Sequence, residues 1–302
     1  MAIGVLAMSA LAAMGCPCEL RFDTDVAGEF NIAAQRCYKE IRRFESKYSR
    51  YRTDSVTASI NRSAGCVPVP IDPDTAALLQ YAAVCHEQSD GLFDITSGVF
   101  RRFWHRQRTT LPQQNELDAC IEKAGWDKVR CSDKHVYLPV EGMELDFGGV
   151  VKEYAADAAA VIAGKAGIRH GLVNLGGDIR IVGPQPDGRP WAVGIVHPLK
   201  TDSAIATVSL TEGALTTSGG YERFIQIGGK RYSHLIDPRT GWPVEGLLSV
   251  SVAAAQAIVA GSIASIALLQ RPDAGLAWLQ RCGVPYMAID TQLKCHGHLL
   301  DG

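Results

Sequence analysis

The sequence predicts a mixed α+β fold, and three observations carry that prediction. Apolar stripes at helical spacing dominate the first half, short β-type runs at close intervals dominate the second, and no repeat, low-complexity tract or linker divides them. A chain of 302 residues suits one large domain or two intimate lobes.

Each helix has its own signal. Phe30, Ala34, Cys37, Ile41, Phe44 and Tyr48 fall at alternating four- and three-residue steps, with Lys39, Glu40, Arg42 and Arg43 on the opposite side, the pattern of an amphipathic helix. Asp72-Pro73-Asp74 starts a second helix, with Asp72 as N-cap and Pro73 in the first turn. It runs through Leu78, Leu79 and Ala82 and stops near Asp90-Gly91. A third begins around Val151 and runs to Gly167. A fourth spans Ala257 to Leu269 and ends at Arg271-Pro272, where a short fifth begins. Strands are expected at Gly171–Asn174, Ile179–Gly183, Trp191–Val196, Ile205–Leu210, Phe224–Ile227, Tyr232–Ile236, Leu248–Ala253 and Tyr286–Ile289, with Gly-rich Leu175-Gly176-Gly177-Asp178 turning between the first two.

Composition narrows the function. Apolar residues make up 47% and charged residues 21%, which excludes an extended disordered chain. Thirty Lys and Arg against 32 Asp and Glu leave no basic footprint for nucleic acid or an anionic membrane. Beyond the first segment no run approaches a membrane span, so neither a nucleic-acid partner nor an integral span is expected. The nine cysteines lack a framework spacing and read as free thiols of a self-sufficient core. Met1 to Cys18 is uncharged and has two readings. It is a signal peptide, with Met14-Gly15-Cys16 resembling a lipoprotein cleavage site, or Val5–Leu11 opens a buried strand or loop of the domain. No basic residue precedes the apolar run, so the expectation is a cytoplasmic protein uncleaved at Cys16. A periplasmic or lipid-anchored protein is the alternative.

Two segments stand out chemically. Asp146-Phe147-Gly148-Gly149, followed by Lys152 in a helix's first turn, is either a capped strand-to-helix turn or a backbone cradle for an anion. His234 precedes the turn Asp237-Pro238-Arg239-Thr240-Gly241, where an imidazole can serve as a base; a plain hairpin turn is the other reading. Tyr48 to Arg52 and Gly91 to Thr96 mix aromatic and polar groups at segment ends.

Taken in order, these stretches resemble the ApbE family of FAD:protein FMN transferases. The matching segments are Met14 to Cys18, Ser49 to Ser55 with Ile60-Asn61-Arg62, Gly91 to Thr96, Asp146 to Gly149 with Lys152, Val173 to Asp178, Thr217-Ser218-Gly219 with Tyr221-Glu222-Arg223, and His234 to Gly241. The resemblance covers nearly the whole chain and implies one domain over 1–302, an ApbE-like two-lobed α+β fold with FAD between the lobes. It also implies cleavage of FAD at its pyrophosphate, attachment of FMN to a Thr or Ser hydroxyl of an acceptor flavoprotein, and release of AMP. By the same resemblance Met14, Tyr51, Leu92, Phe93, Asp94, Asp146, Lys152 and Leu235 line the FAD site, and His234 helps deprotonate the acceptor hydroxyl.

The resemblance further implies a Mg²⁺ site, but with a departure. The family usually has an Asp, and four residues later a Thr, on the helix after the Leu248–Ala253 strand, joined by a backbone carbonyl that falls here on Gly149. This chain has Gly261 and Ser265 in those places. It also has Gly220 where the family has an Asp before Tyr221. Mg²⁺ relies on anionic oxygens, so the expectation is weak or flavin-dependent binding at Gly149, Gly261 and Ser265, tightened by Gly261→Asp. Two other outcomes remain: an FAD pyrophosphatase, or an FAD-binding protein without transfer.

Overall fold

The computed structural model describes residues 5–24, 27–220 and 224–299. Helices are α1 (Ala27–Tyr48), α2 (Val56–Arg62), α3 (Pro73–Gln88), α4 (Gln114–Ile121), α5 (Val151–Lys165), α6 (Ala257–Leu269) and α7 (Pro272–Cys282). The stripe from Phe30 to Tyr48 lies buried along α1. Asp72 caps α3 as expected, its carboxylate accepting from Thr75 N at 3.0 Å.

The central sheet is antiparallel, in the spatial order Val5–Ala13, Cys16–Thr24, His170–Leu175, Asp178–Gly183, Ala214–Gly219, Ser249–Ala254, Tyr286–Ile289 and Cys295–His296. Successive side chains point to opposite faces, and here both faces are covered. Val173 packs under α1 and α5, whereas Leu172 packs beneath the hairpin Trp191–His197/Lys200–Leu210. That two-sided burial explains why the strands read as continuous apolar runs. A second cluster joins Phe100, Phe103, Trp104 and Leu117 to Ile225 and Ile227 of the hairpin Phe224–Ile227/Lys230–Ser233.

Three expectations are corrected here. Val5–Ala13 is a strand, but it is the sheet's edge and half-exposed, with Met8 64% accessible. The strand expected over Tyr232–Ile236 ends at Ser233, because the Ser233 hydroxyl accepts from Leu235 N at 3.1 Å and bends the chain at His234. Helices α2 and α4 and the strand Ala214–Gly219 were not expected. The stretch Tyr221-Glu222-Arg223 lies outside the described residues.

Helix α6 is apolar on every side and buried along its length, as a helix inside a core must be. Its own N-cap residue, Gln256, makes no side-chain cap. The cap comes from α5 instead: Asp157 accepts from Ala257 N at 2.9 Å and Ile258 N at 3.0 Å, and pairs with Arg180 at 3.1 Å. Burial pushes the Asp157 carboxyl pKa up against the pull of those amides and Arg180. Asp157→Ala removes two charge-assisted hydrogen bonds and is expected to lower stability by about 1.5–3 kcal/mol; urea denaturation measures it.

Candidate functional site

The expected residues arrive from separate elements. The turn Met14-Gly15 joins the first two strands with both residues at positive φ, 54° and 71°, the two-residue hairpin geometry. A methionine there costs roughly 1–2 kcal/mol relative to a right-handed conformation. Its amide donates to Glu45 Oε1 of α1 at 2.6 Å, which holds the turn against the helix.

Asn61 of α2 clamps the chain leading to Asp146, donating to Leu145 O at 3.0 Å and accepting from Leu145 N at 2.8 Å. Asp146 then caps the short turn Phe147–Gly149 by accepting from Gly148 N at 2.9 Å. Its other oxygen pairs with Arg101 and, at 3.3 Å, with Arg50. Arg50 also donates to the Tyr51 hydroxyl at 2.6 Å and lies over its ring. Tyr51 is 83% exposed, so the ring stands in solvent with the Arg50 guanidinium over it.

Asp94 behaves differently from the expectation of a ligand-facing carboxylate. It is buried, accepting from Thr96 N and Oγ1, both at 2.7 Å, and from Trp126 N at 3.0 Å. Those bonds shape the Gly91–Thr96 loop. The loop in turn sets Phe93, whose Cζ stands 3.3 Å from where a Cβ on Gly149 would be. Leu92 is buried beside it.

Lys152, expected as a cation for pyrophosphate, forms an ion pair with Asp178 at 2.7 Å, and Asp178 is almost fully buried. Burial pulls the Lys152 pKa down, but the charges of Asp178 and Glu153 outweigh it and hold the ammonium above its ordinary value. Next in sequence, Glu153 is buried with Oε2 unpartnered. Burial, reinforced by Asp178 and opposed by Lys152, pushes its carboxyl up to about 8.

Gly261 of α6 faces Glu153 directly. A Cβ on Gly261 would lie 2.7 Å from Glu153 Cγ and 3.1 Å from Oε1, so Gly261→Asp lacks the room the sequence reading expected. Ser265 sits one turn further along and shares a hydrogen bond with Ser218 of the adjacent strand at 3.2 Å. Gly261 brings no side-chain oxygen of its own.

The Ser218 strand ends at Gly219, and at the next residue, Gly220, a Cβ would come within 3.1 Å of the Ser233 hydroxyl. Ser218 ties this strand to α6, and Gly220 brings its end close to the bend that carries His234. His234 is half-buried there, and Leu235 packs between the α1–α5 core and the α6–α7 core. Asp237 is engaged by Arg239 through both oxygens, at 2.9 and 2.7 Å. Sequence reasoning passed over Glu153 and Asp157. The signal available was an acidic pair four apart on α5, on one helix face. Lys152→Ala strands Asp178 as a buried charge, and a stability loss of about 3–5 kcal/mol is expected, read by urea denaturation.

Residues 14–288 match the ApbE family. The FAD:protein FMN transferase of Salmonella typhimurium is 33% identical over 222 residues, an alignment covering 70% of this chain and 63% of that protein. The chain thus matches less than two thirds of that relative's length. The FAD:protein FMN transferase of Treponema pallidum is 30% identical over 272 residues, covering 83% of this chain and 75% of that one. The ApbE protein of Thermotoga maritima has the same fold at TM-score 0.90 and 26% identity, with 97% of each chain covered. The flavin transferase ApbE from Vibrio cholerae matches at TM-score 0.87 and 22% identity, with 98% of this chain and 97% of that chain covered.

Proposed function

The chain belongs to the ApbE family, and from that premise we propose that it is an FAD:protein FMN transferase. It cleaves the FAD pyrophosphate and joins FMN to a Thr or Ser hydroxyl of an acceptor flavoprotein, releasing AMP. One observation carries the reading: the family match runs from the Met14 turn to the last strands. That the site draws on residues from Met14 to Ser265 supports treating 1–302 as one domain.

A transfer of this kind needs positioning and neutralisation of phosphate charge. Exposed Tyr51, backed by Arg50, offers a face for an aromatic ring and charge for a phosphate. Met14, Leu92, Phe93 and Leu235 supply apolar walls. Asp94 and Asp146 hold the Gly91–Thr96 loop and the Phe147–Gly149 turn, and Lys152, held by Asp178, sets positive charge at the helix start. His234 accepts the proton of the acceptor hydroxyl as its oxygen bonds to the FMN phosphorus and the phosphorus–oxygen bond to AMP breaks.

The donors near Gly261 fit a hard divalent cation such as Mg²⁺. The buried Oε2 of Glu153 lacks a partner, and the Ser265 hydroxyl and Gly149 carbonyl offer neutral oxygens. When bound, the ion neutralises pyrophosphate charge.

Incubation with FAD, Mg²⁺ and an acceptor domain tests the reading: AMP and a flavinylated acceptor are expected. AMP with free FMN indicates a pyrophosphatase, and unchanged FAD indicates binding without turnover. His234→Ala is expected to slow transfer by roughly 10²–10⁴ with little change in FAD affinity. Fluorescence titration beside a single-turnover assay separates the two effects.

A further inference from the structure

The family carboxylate is missing from α6, yet a carboxylate stands in its place. Glu153 comes from the first turn of α5 and its side chain crosses Gly261, with Cγ, Cδ and Oε1 within 2.7 to 3.1 Å of where a Cβ at 261 would be. Glu153 in this conformation therefore leaves no room for a side chain on residue 261. We propose that Glu153 supplies the anionic ligand of a divalent-cation site, with the Ser265 hydroxyl and the Gly149 main-chain carbonyl as its neutral donors.

Three observations support this assignment. Glu153 is 7% exposed, and its Oε2 is buried without a hydrogen-bond partner; a buried carboxylate is costly unless something pairs with it. The nearby cation does not meet that need, because Lys152 is paired with Asp178. One ammonium thus serves two buried acidic groups; Asp178 contacts Glu153 but, being acidic itself, brings it no countercharge. Finally, the neutral donors come from the elements packed against α5. Gly261 and Ser265 are four apart on one face of α6, and α6 packs against both α5 and the Phe147–Gly149 turn. A hard cation prefers such an all-oxygen set.

The exchange of positions accounts for Gly261. An Asp on α6 would need the volume Glu153 occupies, so this chain carries the charge on α5 and keeps α6 bare. The Gly149 and Ser265 assignments rest on the transferase reading, whereas the Glu153 placement rests on contact alone.

The test uses Mn²⁺ binding to the full flavin-free chain, followed by electron paramagnetic resonance, with melting temperatures measured in parallel. Glu153→Gln keeps the shape and removes the charge. It is expected to weaken Mn²⁺ at least tenfold while leaving the metal-free melting temperature equal or higher, since one of two neighbouring buried acidic groups is gone. Gly261→Asp alone is expected to lower the melting temperature through its clash, without tightening Mn²⁺. The double variant Glu153→Gly with Gly261→Asp is expected to restore binding to within a few-fold of the parent. Unchanged Mn²⁺ affinity in Glu153→Gln overturns the proposal, and a lowered metal-free melting temperature beside it makes Glu153 structural. A double variant that binds no better than Glu153→Gly alone also overturns it. Assay of AMP release from FAD keeps the two readings apart. Glu153-dependent Mn²⁺ binding without AMP release contradicts the transferase reading and upholds the site.

Discussion

Where helix α5 meets helix α6, the Glu153 side chain fills the space beside Gly261, and the chemistry of the site depends on that contact. Helix α6 is buried on all sides and holds no charged residue. Its amides are satisfied from outside by Asp157, one turn beyond Glu153 on α5. The same face of α5 therefore caps the neighbouring helix and delivers a carboxylate to it. A negative side chain in the first turn of α5 is also favoured by that helix's dipole. Bulk at 261 displaces the Glu153 side chain.

Around this contact the other polar groups act mainly as scaffolding. Asp94 spends its oxygens on Thr96 and Trp126, Asp146 on Gly148 and two arginines, and Asp237 on Arg239. Each fixes a loop at the site's edge, so the loops arrive in place before any ligand does. Such preorganisation is what a positioning mechanism needs.

The helices were legible in the sequence where a stripe was long or a cap local. The α1 stripe and the Asp72-Pro73 start of α3 are self-contained signals. Short α2 buries only Thr57 and Ile60, too few positions to establish a period. The strand Ala214–Gly219 lacks an alternating apolar pattern, its burial being set by its two sheet neighbours. The candidate residues were legible through ordered motifs, but their pairings were not. Neither the ion pair of Lys152 with Asp178 nor the contact of Glu153 with Gly261 leaves a local trace, since the partners are far apart in the chain. The absent carboxylate at 261 was readable; the carboxylate that fills its space was not.

The most direct measurement is a crystal structure of the chain with FAD and Mn²⁺, with the metal located by its anomalous scattering. The account predicts one strong peak at about 2.1–2.2 Å from a Glu153 carboxylate oxygen, the distance expected of a small hard cation, with Ser265 Oγ and the Gly149 carbonyl beside it. A metal bound at the flavin with Glu153 turned away would contradict it.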